Sequence, residues 1–487
     1  MIIEILGAKM LSPYVGLSHF VWTAQIAVTL VALACGYYVG GRWADKHHQL
    51  SRLYGAILIA AVYLAVTVLI CEPVAYWCLD FSLPVGSLLA STILFFLPLA
   101  LLAMTGPFLV RFITSSLSGV GGTMGRLTAI STLGSFAGTM LIGYLMIPLL
   151  RNSVAMYITA AALVLICVPY FVVYRRQSLI TPALALVSVG LFGFLLSRVL
   201  ARDYAHVIER FHGNSHFGQL QVVDRRDGSE RFYLNDFLTQ NTYDPKRKQS
   251  MSHFTYMLSG LAQAYTTNIS DVLCIGLGVG IVPMDFANHG VHVDVVEINP
   301  AVVPVAIHYF DLETNKLNLS IDDGRHFLNR CRKKYDAVIL DAFIGDSSPS
   351  HLLSREAFAS VHQVLRPGGA LVINAFGDLD PGHNFFLASL ERTLKTVFAG
   401  VRIHTSGDGG MFLVASDRTP LEIVNPPDFE RSHPVVMEDM RESYRRIVST
   451  SPDDGMILTD DYNPAEYYDA RNRENVRRHL AEQARGM

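Results

Sequence analysis

Residues 1 to about 200 contain six apolar runs, at 17–41, 53–71, 84–110, 124–149, 154–174 and 180–199. A helix needs roughly 20 apolar residues to cross a bilayer core, and each run reaches that length. The composition as a whole, 51% hydrophobic and 17% charged, averages two unlike halves, because most of the charge falls after residue 203. The pattern predicts an α-helical membrane domain over 1–200, with about six to seven helices, followed by a soluble domain over 203–487. The first twelve residues, "MIIEILGAKMLS", are too short to cross alone and carry Glu4 and Lys9. They read as a half-span or the remnant of a longer helix. No signal peptide is expected, since no basic n-region precedes them. The small-residue run "GSFAGTMLIG" at 134–143 suits close helix packing in lipid.

Loop charge predicts orientation. One set of loops holds Arg42, Lys46, Arg52, Arg111, Arg126, Arg175 and Arg176, while the opposite set holds Arg151, Glu72 and Asp80. The basic set should face the cytoplasm of an inner (plasma) membrane. Five crossings after Arg42 would then put the soluble domain outside the cytoplasm. A re-entrant segment at 180–199 would put it on the other side. Net charge is −3, so no basic field points to nucleic acid. The six cysteines show no metal-type clustering, and no metal is expected. Cys71 and Cys78 flank a short loop, "CEPVAYWC", and could pair if that loop faced an oxidising space; otherwise they are two buried thiols.

The soluble half opens with "HFGQLQVVDRRDGSERFYLNDFLTQ" at 216–240. Its alternation around "RRDGSE" predicts two or three antiparallel strands, and a helix follows at about 250–265. Next comes "VLCIGLGVGIVPMDFANHGVHVDVVEINP" at 272–300, which reads as strand, glycine turn, helix, strand and acid. Gly276, Gly278 and Gly280 permit a tight turn and close backbone approach. Glu297, 21 residues after Gly276, can accept both ribose hydroxyls of a nucleoside. "LNLSIDDGRHFL" at 317–328 predicts strand, acidic turn and helix, with Asp322 or Asp323 available to an adenine amino group. "KYDAVILDAF" at 334–343 ends a central strand in Asp341, and "LRPGGALVINAF" at 365–376 adds another strand. Ligands of open α/β sheets bind at the carboxyl ends of strands, where these acids fall. The fold class expected is an α/β Rossmann-like, methyltransferase-type sheet with a small N-terminal β-sheet.

The segments "RFYLNDFLTQNTYD", "VLCIGLGVGI", "VVEINPAVV", "DDGRHFL" and "YDAVILDAF" resemble the polyamine aminopropyltransferases, or spermidine synthases. Together with the apolar half, "GGRWADK" and "TDDYNPAE", the chain resembles the membrane-fused spermidine synthase-like proteins. In that family decarboxylated S-adenosylmethionine, made in the cytoplasm, donates an aminopropyl group to an amine; the donor's source argues for a cytoplasmic soluble domain, against the loop charges. The resemblance implies that Gln240 and Glu297 hold the donor nucleoside, with the turn of Gly276, Gly278 and Gly280. Asp323 and Gly324 would contact its adenine, and Asp341 would be the general base. It also implies a small-molecule amine acceptor, the lipid bilayer as partner of the apolar half, and a homodimer.

The departures from the family pattern all touch amine recognition. Val279 stands where the family has an Asp. Ile344 replaces a second Asp, and Phe254, Thr255 and Tyr256 replace its Tyr-His-Glu. Tyr256 and Asp346 become the candidate acceptor contacts, Asp346 as a substitute carboxylate in "IGDSSP". Three readings follow. One is an aminopropyltransferase-like enzyme with an unusual acceptor. Another is a methyltransferase using intact S-adenosylmethionine, and the last is a catalytically inactive nucleoside-binding or interaction module. Tyr462, Tyr467 and Tyr468 could line an acceptor pocket or serve only in C-terminal packing. The "KRK" at 246–248 reads as a solvated loop.

Overall fold

The computed structural model describes residues 1–468 apart from 17–18, 47–48, 115–118, 174–179, 201–205, 237, 344–348, 408 and 466. The chain divides into two compact units, Met1–Tyr204 and Ala205–Met487.

The first unit is helical. Five helical stretches are long and apolar enough to cross a membrane among the described residues: Phe20–Lys46, Leu50–Cys78, Leu83–Ile113, Val120–Leu149 and Asn152–Val172. The sixth expected run forms the helix Ile180–Leu200, with Ala183–Gly193 as its described apolar stretch. Residues Ile2–Val15 make a separate helix that buries Leu6, Met10 and Leu11. Large apolar side chains point outward, with Leu133 68% and Tyr144 74% exposed. In water such a surface would be an aggregation liability; in lipid it is the ordinary solvent-facing side of a spanning helix.

Two expectations for this unit change. Close helix packing falls at Gly36 and Gly40 rather than within 134–143. A Cβ on Gly36 would clash with the Ala100 carbonyl oxygen, and one on Gly40 would meet the Met104 Cα at 2.8 Å. Gly134 and Gly143 face open space, and only Gly138 has a near neighbour, the Ile2 side chain. Four-residue spacing puts Gly36 and Gly40 on one helix face, and the missing side chains let two backbones approach. The other change concerns "CEPVAYWC", which is helix and not loop: Leu50–Cys78 continues through Pro73 to Cys78. Cys71 and Cys78 are both buried and unpaired.

The second unit holds two sheets. Strands β1 (Val207–Ser215), β2 (Gly218–Arg225), β3 (Arg231–Asn235), β4 (Leu238–Asp244) and β5 (Gln249–Ser250) pair in chain order as an antiparallel meander. The larger sheet contains β6 (Asp271–Ile275), β7 (His292–Glu297), β8 (Asn318–Ile321), β9 (Tyr335–Leu340), β10 (Leu365–Phe376), β11 (Gly400–Thr405), β12 (Gly410–Ser416) and β13 (Ile447–Val448). Its order is β13-β11-β12-β10-β9-β6-β7-β8. The strands from β10 to β8 are parallel, while β12 runs antiparallel to both β10 and β11.

The central strands are covered on both faces, which is why they read as unbroken apolar runs. Val272, Leu273, Cys274 and Ile275 are at most 2% exposed, as are Ala337, Val338 and Ile339. The chain leaves β6 toward β7 on one side and returns to β9 on the other, so β6 and β9 flank the switch point where open α/β sheets bind ligands. Polar contacts tie the small sheet to this frame. The Asn299 amide donates to Ser215 Oγ at 3.1 Å, and the Tyr243 hydroxyl donates to Asp311 at 2.7 Å. At the opposite, amino ends of the strands, Arg366 bridges Asp271 and Asp336 at 2.7 Å each. Those carboxylates are structural.

Candidate functional site

A cavity of about 890 Å³ opens over the carboxyl ends of β6, β7, β9 and β10. Its floor is the turn after β6. Gly276, with φ +100°, lies so close to β9 that a Cβ would clash with the Asp341 carbonyl oxygen. Gly280, with φ +88°, begins the helix Ile281–Asn288 in the left-handed region that glycine accepts without cost. Gly276, Gly278 and Val279 all line the cavity.

Glu297 closes β7 and is 9% exposed. Its carboxylate accepts the backbone N–H of Leu277 at 2.9 Å and of Asn299 at 2.7 Å, so the acid is fastened to the glycine turn. Burial raises its pKa, and these backbone donors oppose the rise. Asp323 caps the helix Gly324–Arg330 by accepting from the N–H groups of Arg325 and His326 at 2.9 and 3.0 Å. Its second oxygen meets the His351 ring at 2.9 Å. Burial works to raise the Asp323 carboxyl, but the His326 N–H, the His351 ring and the Arg325 N–H outweigh it and hold the group below the usual range. Asp322 pairs with the His326 ring at 2.8 Å. Gly324 packs against Ile275, where a Cβ would come within 2.6 Å of its side chain.

Asp341 follows β9 and is partly buried. Asn374, at the end of β10, donates to Asp341 Oδ1 at 2.9 Å. Burial lifts the Asp341 carboxyl from 3.8 to about 6; the Asn374 bond works against this, and the Glu297 charge adds to it. A carboxylate tuned toward neutrality is suited to take up a proton.

Of the residues expected from sequence, Gln240, Gly276, Gly278, Glu297, Asp323, Gly324 and Asp341 all line this one cavity. Gly280, expected among the donor contacts, does not line the cavity; it is the start of the helix Ile281–Asn288. Tyr256 does not reach it: its hydroxyl donates to the Ser250 carbonyl at 2.8 Å, and Phe254 and Thr255 line the wall instead. One residue along a helix turns a side chain by about 100°, enough to take Tyr256 into the surrounding core. Asp346 lies outside the described residues, as do Arg175 and Arg176. Tyr462 and Tyr467 are exposed, and Tyr468 packs on Phe385 with ring centroids 4.0 Å apart. In the "KRK" loop, Lys248 pairs with Asp311 and Arg247 with Asp244.

Sequence reading missed Asn374, His351 and the aromatic lining. Asn374 was within reach of the strand-end rule that found Asp341, since "LVINAF" also ends at the sheet's carboxyl edge. His351 has no such signal, because it meets Asp323 from 28 residues away. Among the described residues no three His, Cys, Asp or Glu side chains converge as metal ligands.

Residues 251–406 match the spermine/spermidine synthase domain. The N-terminal histidine N-methyltransferase of Emericella nidulans is 35% identical over 140 residues, covering 28% of this chain and 24% of that protein. The polyamine aminopropyltransferase of Vibrio vulnificus is also 35% identical over 140 residues, covering 27% of this chain and 46% of that protein. The chain thus spans less than half the length of these curated relatives. A probable spermidine synthase from Corynebacterium glutamicum aligns at 17% identity over 48% of this chain and 86% of its own, with a TM-score of 0.39. Residues 251–406 of the C-terminal unit, on a sheet whose strand order reverses at β6 and whose acids stand at three successive strand ends, are thus similar to a spermine/spermidine synthase domain.

Proposed function

We propose that the protein is a membrane-anchored transferase of the aminopropyltransferase type, which moves an alkyl group from a sulfonium nucleoside to an amine. The observation that carries this reading is Asp341, a carboxylate held near neutrality by burial and aimed by Asn374, in the same cavity as Glu297 and Asp323. Glu297 would hold the ribose, and Gln240, Asp323 and Gly324 the rest of the nucleoside. The acceptor nitrogen forms its bond to carbon as the sulfonium carbon–sulfur bond breaks. The sulfur leaves as a neutral thioether, and the displaced nitrogen proton passes to Asp341. A negative site favours this step twice, by stabilising the positive charge that develops on the neutral attacking nitrogen and by receiving its proton.

A second reading, methyl transfer from intact S-adenosylmethionine, is favoured by Val279. It is 2% exposed and presents an apolar side chain in the glycine turn, so no carboxylate there repels a donor that keeps its own. Calorimetry on the full chain in detergent separates the two. Decarboxylated donor binding at least tenfold tighter than S-adenosylmethionine supports aminopropyl transfer, and the reverse order supports methyl transfer. If neither donor nor methylthioadenosine binds, the nucleoside assignment is wrong and the inactive-module reading takes its place.

A further inference from the structure

The C-terminal run "TDDYNPAE" at 459–466 contributes nothing to the cavity lining, yet it is fastened to the cavity's wall. At the proposed adenine end, two stretches from different loops stand side by side. Asp323 and Gly324 follow β8, while His351 and Leu352 belong to the chain between β9 and the helix Arg355–Val364. Arg325 joins them. Its backbone N–H donates to Asp323 Oδ1 at 2.9 Å, and its guanidinium donates to the His351 carbonyl at 3.5 Å and to Ser354 Oγ at 3.4 Å. The last two bonds are long and fix the guanidinium weakly. Asp460 supplies the firmer hold. Its carboxylate accepts from Arg325 at 3.0 Å and from the Ser354 hydroxyl, and its backbone N–H donates to Glu356 at 3.0 Å. The Arg325 side chain is only 17% exposed, so this charge-assisted pair is more directional than a surface one. Two more bonds run alongside. The Asn463 amide donates to the Ser350 carbonyl at 2.8 Å, and the Arg355 N–H donates to the Leu458 carbonyl at 2.8 Å. Leu458 and Ala465 are buried in the same core as Leu352 and Leu353, which roots the segment at both ends.

We infer that Asp460 and Asn463 are positioning residues for the nucleoside site, acting from outside it on the adenine contact. This rests on the nucleoside reading and adds the residues that aim it. Ser350, Ser354 and Arg355 are each bonded to the C-terminal segment, so His351 between them is held with its ring on Asp323 Oδ2 at 2.9 Å. The other oxygen of Asp323 is fixed by the N–H groups of Arg325 and His326. A carboxylate gripped on both oxygens presents its remaining lone pairs in one direction. That rigidity lets it tell a purine amino group, which donates, from an oxo group, which does not.

The test is calorimetry on the full chain in detergent, titrated with methylthioadenosine and with methylthioinosine, which carries an oxo group in place of the purine amino group. The wild type is expected to bind methylthioadenosine about tenfold tighter or more, since the oxo group sets an acceptor against the Asp323 acceptor. Asp460→Ala and, separately, Asn463→Ala should cut that preference to about threefold or less by weakening methylthioadenosine alone. Their affinity for methylthioinosine, set at the Glu297 end, should stay within about twofold of wild type and reports that they have folded. A merely structural role would weaken both nucleosides by one factor and leave the preference where it was. That result overturns the inference and leaves the nucleoside reading standing, as does unchanged binding in both variants. Should Asp460→Ala bind neither nucleoside, Asn463→Ala decides, because it removes only the bond to Ser350. Equal affinities in the wild type would take the adenine contact from Asp323 and the inference with it. A wild type that binds neither nucleoside overturns the nucleoside reading itself.

Discussion

At the scale of single residues, Asp341 is where stability and function pull apart. A carboxyl whose folded pKa is lifted from 3.8 to about 6 favours its protonated form. Its contribution to stability is complete below 3.8 and is lost as pH rises through about 6, a difference of roughly 3 kcal/mol. Asp341→Asn removes that penalty and keeps an oxygen for the Asn374 amide. Above pH 6 the variant should melt a few degrees higher than the wild type, while turnover falls by about 100-fold or more and nucleoside affinity holds. A wild-type melting temperature matched by the variant at pH 8 would show that Asp341 is not buried as described. The same titration predicts that kcat of the wild type falls as pH drops through about 6, where the proposed base becomes protonated. Burial raises the Glu297 pKa too, but its carboxylate satisfies two backbone N–H groups, so its removal is costly. Glu297→Ala strands the N–H groups of Leu277 and Asn299 and removes the proposed ribose acceptor. Glu297→Ala should lower stability by about 1–3 kcal/mol and weaken nucleoside binding; unchanged affinity in calorimetry would refute the assigned pocket.

At the scale of elements, the turn after β6 is the most constrained piece of the site. Gly276 combines φ +100° with backbone contact to β9, so an alanine there has neither the dihedral nor the space. Gly276→Ala should unfold the unit or abolish nucleoside binding. Gly280→Ala meets only the end of the Leu312 side chain, at 2.6 Å. It should cost about 1–2 kcal/mol of backbone strain and leave a weakened but present site. Equal losses in the two variants, measured by urea unfolding, would mean that β9 contact is unimportant. The elements were legible where periodicity and length carry the signal: β6, β7, β9 and the helix His253–Tyr265 fall where apolar runs and turn residues put them. Tyr256 was not, because a helix start known only to within a few residues leaves the facing side undecided. "CEPVAYWC" read as loop for a related reason: Pro73 is a poor interior helix residue and Glu72 breaks the apolar run, yet the helix continues through both.

At the scale of the whole molecule, an apolar helical unit and an α/β unit carrying the candidate site share one chain. Outward-facing leucines and valines over five long helices predict that alkaline carbonate leaves the protein in the membrane fraction and that detergent releases it. Recovery in the carbonate supernatant would contradict the membrane reading. A C-terminal reporter active on only one side of the membrane checks the orientation expected from Arg42, Lys46 and Arg52. What the amino-acid order determined alone was whatever depends on local chemistry: which segments are apolar enough for lipid, where strands end, and which acids stand at those ends. Glu297, Asp323 and Asp341 could be named because a strand's terminus and an open sheet's binding edge coincide. Tertiary structure alone decided what depends on residues far apart meeting. Asn374 on Asp341, His351 on Asp323, Gly36 against Ala100, and Asp460 on Arg325 all arise from strand order and packing. Backbone proximity brings those side chains together across tens of residues, and no local pattern encodes which distant neighbour will arrive.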